Sequence, residues 1–167
     1  MRKTASILFL IVVLLFSITT ISGAEQIDLK SLEGNWEGYG TFLIPGINSL
    51  MEISGNANFE YFNKNNYLRT ELSAEKFLFT YSDSGHISID NDNDSLTWEV
   101  WDNLRRHTKY RGKINGNKIL GSRVYRKKDY LVKIELIHID TIDFRLYIKE
   151  KDNTEHDQAT FKLHRLK

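Results

Sequence analysis

The stretch Leu32-Glu33-Gly34-Asn35-Trp36-Glu37-Gly38-Tyr39-Gly40 decides the fold, because it reads as the first of many short strands. Read by twos, Trp36, Gly38, Gly40, Phe42 and Ile44 share one face, and mostly polar residues share the other. A buried Trp removes about 150–250 Å² from water, which is enough to anchor one end of a small sheet. Gly38 and Gly40 lack side chains, so they mark a bend or a place where another segment crosses closely.

The rest of the chain repeats this alternation. The clearest run is Met51, Ile53, Gly55, Ala57, Phe59 and Tyr61, which alternate with the polar residues Glu52, Ser54, Asn56, Asn58 and Glu60. We count about ten strands bounded by Asn, Asp, Ser or Gly, with Asn115-Gly116 predicting a tight hairpin. Residues 25–33 predict one short helical turn that plugs a barrel end. Antiparallel strands of this number close into a barrel or stack as a sandwich.

Gly34-Asn35-Trp36 resembles the G-x-W signature of lipocalins and the wider calycin group. The resemblance implies an all-β, antiparallel up-and-down barrel, with Gly34, Trp36 and Arg165 as structural residues and Arg165 packed across the indole. A longer pattern, from Trp36-x-Gly38-x-Gly40 through Pro45-Gly46 and the central Trp98-Glu99-Val100-Trp101-Asp102 to a terminal strand ending in Arg, resembles a family of uncharacterised secreted bacterial proteins. That family implies no activity.

The N-terminus predicts export. Met1-Arg2-Lys3, an apolar run from Ile7 to Phe16 and Ser22-Gly23-Ala24 form the three regions of a secretory signal, so we expect cleavage after residue 24. The apolar run is shorter than the roughly 20 residues that an uncleaved membrane anchor needs. Residues 25–167 then form a single domain that is secreted or periplasmic. The 167-residue chain contains no cysteine, so no disulfide stabilises that domain.

A lipocalin-like barrel predicts a small hydrophobic or amphipathic ligand in its interior. The aromatic residues expected to line that interior or fill its closed end are Trp36, Phe42, Phe59, Tyr61, Phe79, Trp98, Tyr110 and Phe144. Arg123 and Tyr125 share one strand face and look like the Arg-x-Tyr pair with which fatty-acid-binding barrels hold a carboxylate; the opposite face is equally mixed, so their direction stays open. His138 extends an apolar face and is expected to point inward, either as a core or rim histidine or as a further ligand contact.

Charge is balanced overall but segregated along the chain. Asp and Glu occur from Ser82 to Asn103, but Lys and Arg do not. From Leu104 to Ile134 there are 11 Lys or Arg residues and a single acid, Asp129. Neighbouring strands of opposite sign pair across a sheet, or else the bases form an outer face that contacts an anionic envelope surface. Stacking aromatics are sparse among these bases, which argues against single-stranded nucleic acid. Oligomeric state is left open.

The remaining motifs predict no metal and no cofactor. Asp90-Asn91-Asp92-Asn93-Asp94 spaces acids as a calcium loop does, but Ser95 replaces the required Gly and Trp101 the bidentate Glu. His156 resembles the iron-binding His of nitrobindin-type haem barrels, although a surface histidine is the simpler interpretation. No phosphate loop, G-x-S-x-G or catalytic cysteine is present, so the sequence assigns no enzymatic activity and excludes none.

Overall fold

The computed structural model describes residues 27–44, 49–77, 79–90 and 95–167, and within them the predicted all-β barrel is confirmed. Ten antiparallel strands form one closed sheet. They are β1 (Gly34–Leu43), β2 (Leu50–Phe62), β3 (Tyr67–Lys76), β4 (Phe79–Asp90), β5 (Ser95–Asp102), β6 (His107–Asn115), β7 (Lys118–Tyr125), β8 (Lys128–His138), β9 (Thr141–Lys149) and β10 (Glu155–Arg165). None of these described residues lies in a helix long and apolar enough to cross a bilayer.

Each strand pairs with its neighbours in sequence, and β1 closes the barrel by pairing with β10. The closing register sets Trp36 opposite Arg165 and Phe42 opposite Ala159. The two glycines of β1 are needed here, because a Cβ atom would lie 1.9 Å from the Lys162 carbonyl oxygen at Gly38 and 1.7 Å from the Thr160 carbonyl oxygen at Gly40. The close crossing expected from the sequence is therefore the approach of the last strand to the first.

One end of the barrel is sealed by the segment before β1. Ile27, Leu29 and Leu32 of this segment are buried. The segment includes a 3-10 turn over Lys30–Leu32, and it lies across the opening. Trp36 lies beneath this plug and donates its indole N–H to the Leu32 carbonyl at 2.9 Å. The hydrophobic core continues through buried side chains of nearly every strand, including Phe59, Leu68, Ile87, Leu96, Ile119, Ile134, Ile142 and Leu163.

Arg165 fastens the sealed end from the other terminus, as the resemblance to lipocalins implies. Its guanidinium carbon lies 4.3 Å from the centre of the Trp36 ring. Its side chain also donates to the carbonyls of Ser31 (2.6 Å), Ile139 (3.1 Å) and Glu33. A single cation therefore joins the plug, the β8–β9 turn and the closing strand.

The structure differs from the expected strand pattern in one hairpin. Phe77 is in phase with Phe79 and Tyr81 in the sequence, yet it lies in the turn between β3 and β4 with a φ of +51°, and its side chain is 96 % exposed. The register explains this, because Lys76 pairs with Phe79 and leaves only two residues to reverse the chain. The signal segment and the Pro45-Gly46 turn lie outside the described residues.

We predict that Arg165→Met lowers the free energy of unfolding by about 2–4 kcal/mol, because it removes charge-assisted hydrogen bonds and the contact with the Trp36 ring. Arg165→Lys should recover only part of this loss, since an ammonium group cannot reproduce the planar fork. Urea unfolding followed by tryptophan fluorescence measures both. Lys162→Met, an exposed cation on the same strand, is the matched control; an equal loss in this control would contradict the role given to Arg165.

Candidate functional site

Beyond the packed end, the barrel interior opens into a cavity of about 450 Å³. Phe42, Trp98, Val132, Phe144 and Leu146 form much of its wall. A narrower extension of about 80 Å³ continues between Phe42, Gly55 and Phe161 and is almost entirely apolar. The interior is thus hollow in the half of the barrel away from the plug, and its volume is within the usual range for small-molecule sites.

A cation projects into this cavity from β7. The Arg123 guanidinium lies over three tyrosine rings, with its carbon 4.8 Å from the centre of Tyr130, 5.3 Å from Tyr110 and 5.5 Å from Tyr125. Its Nη1 donates to the Thr108 hydroxyl at 3.1 Å. Among the described residues, no carboxylate lies within ion-pair distance of Arg123. The tyrosines hold the guanidinium by cation–π contact and leave part of its hydrogen-bonding capacity unused.

A carboxyl group faces the same cavity from β4. Asp83 accepts a hydrogen bond from the Tyr81 hydroxyl at 3.1 Å. Burial, and secondarily the nearby carboxylate of Asp102, raises the pKa of Asp83 to about 7, against the hydrogen bond from Tyr81. Burial and the charge of Asp83 raise the pKa of Tyr81 in turn. Asp83 is therefore a carboxyl group that exchanges its proton close to neutral pH.

Asp102 stands directly opposite Asp83 across the β4–β5 pair, yet its surroundings are different. It accepts bonds from the Leu104 and Arg106 amides at 3.0 and 2.9 Å and an ion pair from Arg106 Nε at 2.6 Å. Its charge is thus compensated within the turn that follows β5. Asp83 has no such compensation, so it is the carboxyl group of the pair with capacity for a further partner.

Three buried polar atoms on cavity-lining residues have no hydrogen-bond partner within the described chain. They are Asp83 Oδ1, Trp98 Nε1 and Arg123 Nε. An unpaired buried polar atom costs about 1–3 kcal/mol, and native interiors satisfy most such groups. Each of these three atoms is covered by neighbouring protein atoms, so a guest in the hollow would reach it only after a side chain had moved.

The structure places the expected site residues in two groups. Phe42, Trp98, Tyr110, Arg123, Tyr125 and Phe144 all line the cavity. The open question about Arg123 and Tyr125 is resolved by the pairing of β7, which puts their face inside with Ile119 and leaves Tyr125 partly exposed at the mouth.

Trp36 and Phe59 belong to the packed core near the plug, and Tyr61 packs against that core with its hydroxyl 3.4 Å from Asn66 Oδ1. Phe79 is half-buried beside Phe42, with ring centres 5.6 Å apart.

The expectation that His138 points into the barrel is wrong. His138 is exposed at the end of β8, where it pairs with Thr141. The alternation that keeps Ile134 and Leu136 inside stops at an irregularity between Leu136 and His138, so the histidine leaves the apolar face. His138 therefore drops out of the candidate site.

The sequence reasoning missed Tyr81, Asp83 and Tyr130 as site residues. The alternation along its strand could have identified Asp83, because Asp83 shares a face with Tyr81, Ile87 and Ile89. An acid on an otherwise apolar strand face is unusual in a structural core. Tyr130 is likewise in phase with Val132 and Ile134 on β8.

Outside the barrel, some of the segregated charge pairs across the sheet as one of the two alternatives predicted. Glu99 on β5 contacts Lys109 on β6 at 2.8 Å, which together with His107 lowers the pKa of Glu99. Lys128 likewise contacts Glu150 at 3.0 Å. Within the described ranges no group of three or more His, Asp or Glu residues could hold a metal ion, while Asp92 and Asp94 lie outside those ranges.

We predict that Asp83→Asn stabilises the ligand-free protein more at about pH 8 than at about pH 5. The folded state raises the pKa of Asp83 from 3.8 to about 7, so it holds a proton that the unfolded chain releases. Wild-type stability therefore falls as pH rises through this window, whereas the amide does not titrate and still accepts from Tyr81. The expected gain at the higher pH is on the order of 1–3 kcal/mol. Thermal unfolding at both pH values measures it.

Asp140→Asn, at an exposed position, is the matched control for this experiment. A gain for Asp83→Asn that is the same at both pH values would contradict the assignment of the titrating group.

No protein-family model matches the sequence, and no curated protein matches it. The structure is similar to the S-type phycobiliprotein lyase CPES from Guillardia theta, with a TM-score of 0.57 and 9 % identity over 83 % of this chain and 90 % of that one. It is also similar to a protein of unknown function from the DUF3598 family of Nostoc punctiforme, with a TM-score of 0.53 and 12 % identity over 85 % of this chain. This chain spans 50 % of that protein's length. At these identities the comparisons establish the fold alone, which is a closed antiparallel β-barrel.

Proposed function

We propose that the protein is an exported carrier that holds a small amphipathic ligand in its barrel, with an anionic group of the ligand bound by Arg123. The observation that carries the proposal is a half-buried guanidinium group that lines a hollow of about 450 Å³ and has no carboxylate within ion-pair distance among the described residues. Burying a charge without a counter-ion is costly, and function is the usual reason for accepting that cost. An anionic ligand group supplies the missing partner.

The geometry around Arg123 favours an oxyanion over other ligand groups. A guanidinium presents a planar fork that matches a carboxylate or a similar anion with two parallel hydrogen bonds. The rings of Tyr110 and Tyr130 limit its movement, so little side-chain entropy is lost when the ligand binds. Tyr125 sits at the mouth, where the ligand would enter.

The apolar part of the ligand has its own place in the hollow. Trp98 and Phe144 meet edge to face with ring centres 6.4 Å apart, which forms a firm wall. The narrow extension beside Phe161 suits a slender chain or the edge of a flat ring rather than a second polar group. The ligand we infer is therefore polar at one end and apolar at the other.

The comparisons support a use of the barrel beyond stability, because one protein of this fold is a lyase. A second candidate function is contact with an envelope surface or another protein through the basic outer face, on which Lys109 and Lys128 are already paired with Glu99 and Glu150. Export is part of the proposal and rests on the N-terminal sequence. Native mass spectrometry of protein secreted by its own host tests it, since the expected chain starts at Glu25.

The binding prediction uses a fluorescent probe, dansylated undecanoic acid, and its methyl ester. We expect the acid to bind about ten- to a hundredfold more tightly than the ester, because a charge-assisted hydrogen bond contributes about 1.5–3 kcal/mol. Arg123→Met should weaken binding of the acid to the level of the ester, and Arg123→Lys should fall between the two. Titration of the dansyl emission measures each affinity.

Lys113→Met removes an exposed cation on the neighbouring strand and is the matched control. The proposal is contradicted if the wild type binds acid and ester equally, or if neither probe binds and the protein carries no co-purified mass. Arg123→Met variants that lose the circular dichroism of the barrel would be replaced by Thr108→Val, which removes the hydroxyl that orients the guanidinium.

A further inference from the structure

A second candidate site lies on the outside of the barrel, across β1 to β5. A broad groove of about 760 Å³ runs there over the outer face of the sheet. Its exposed side chains are amides and hydroxyls, with one carboxylate, one indole and the side chain of Leu166. The groove lies on the outer side of the sheet, because successive residues of each strand point to opposite sides. Ser84 is exposed there, whereas Leu72, Asp83 and Asp102, which border the groove between the outward rows, also line the lumen.

The strand register aligns these groups in one row. Asn35 pairs with Asn58, Asn58 with Glu71, Glu71 with Ser84, and Ser84 with Trp101. Neighbouring strands lie about 4.8 Å apart, so the row extends for about 20 Å. A parallel row of small polar residues, Asn56, Ser73 and Ser82, runs beside it. The result is a polar strip across five strands with an aromatic residue at one end.

Trp101 is held rigidly at that end. Its ring stacks on His107 with centres 4.7 Å apart and an angle of 10°, and His86 lies 5.6 Å away. The side chain remains 44 % exposed. The residue directly opposite on β4 is Ser84, which is too small to cover the indole, so the ring stays open toward the polar row. Stacking on His107 also limits the side-chain entropy that a ligand contact would cost.

The polar groups of the strip are available to a ligand. Within the described chain, the side chains of Asn56, Ser73 and Ser84 make no hydrogen bond to protein. Asn58 donates to Asn35 Oδ1 at 2.9 Å, which fixes both amides and leaves each with further capacity. Glu71 is neutralised by Arg69 at 2.6 Å. The strip therefore offers many neutral donors and acceptors and little net charge.

This chemistry matches a polyhydroxylated ligand. Amides and hydroxyls both donate and accept, as sugar hydroxyls do, whereas a polyanion would require unpaired cations and a peptide helix would require an aliphatic groove. An indole beside such groups offers a face for the apolar side of a pyranose ring. A strip of about 20 Å is long enough to contact several sugars of one chain.

We propose that the outer face of β1 to β5 binds a neutral, β-linked oligosaccharide lying across the strands, with one pyranose ring against Trp101. The site is independent of the ligand proposed for the lumen.

Isothermal titration with cellohexaose and chitohexaose tests this proposal on the full mature chain. At least one hexasaccharide should bind, and Trp101→Ala should weaken that binding by about tenfold, because it removes the stacking surface. Ser84→Arg is the second variant. It places a long side chain in the strip beside Trp101, leaves Trp101, His86 and His107 unchanged, and should reduce binding by a similar factor. Tyr39→Ala removes another exposed aromatic, 79 % accessible on the outside of β1, and should bind as the wild type does.

The proposal is overturned if neither hexasaccharide releases binding heat at millimolar concentration, or if Trp101→Ala and Ser84→Arg both bind as the wild type does. It is also overturned if binding falls steeply with added salt, because that result indicates an ionic partner. Urea midpoints of the two variants close to that of the wild type exclude unfolding as the cause of a loss. Failure here would leave probe binding in the lumen unaffected.

Discussion

The closure of the barrel depends on the contact between Trp36 and Arg165. A sheet that fails to close exposes two edges, and this chain has no cysteine that could fasten them covalently. Trp36 is fixed from one side by its bond to Leu32 and from the other by the guanidinium of Arg165. Because a guanidinium carries five N–H donors, the same side chain also reaches carbonyls of the plug and of the β8–β9 turn. Arg165 therefore joins the plug, the β8–β9 turn and β10 at one side chain.

This closure determines where polar groups can lie in the interior. The half next to the plug is filled by aliphatic and aromatic side chains, so a charge there would have neither water nor a partner. Arg123 and Asp83 occur instead in the hollow half, near Tyr125 and the exposed turn that carries Arg106. A barrel selected for stability alone would fill this half with apolar residues as well. On the function proposed above, Arg123 and Asp83 lie in this half because it is where a guest would contact them.

The fold could be predicted from the sequence because its decisive signals are local. Alternation marks each strand, and Trp36 with Gly38 and Gly40 marks the strand that must bend to close the sheet. The site depends on register, which is not local. Whether Arg123 faces inward depends on the β8 residue with which it pairs, which is Tyr130. The sequence alone did not show which face of β7 points into the barrel. For His138, one irregularity at the end of β8 was sufficient to reverse the expected direction.

The two surfaces proposed here are built from alternate residues of the same strands. On β5, Trp98 faces the lumen and Trp101 the outer strip; on β4, Asp83 and Ser84 divide in the same way. A substitution at one position therefore leaves the other surface chemically intact, although both share a backbone. The outer row escaped sequence reasoning because it exists only when five strands are aligned; Asn35 and Trp101 are 66 positions apart in the chain. Small polar residues on separate strands look like ordinary solvated positions until the sheet places them side by side. In a closed barrel, register is thus the property that turns unremarkable residues into a surface with its own chemistry.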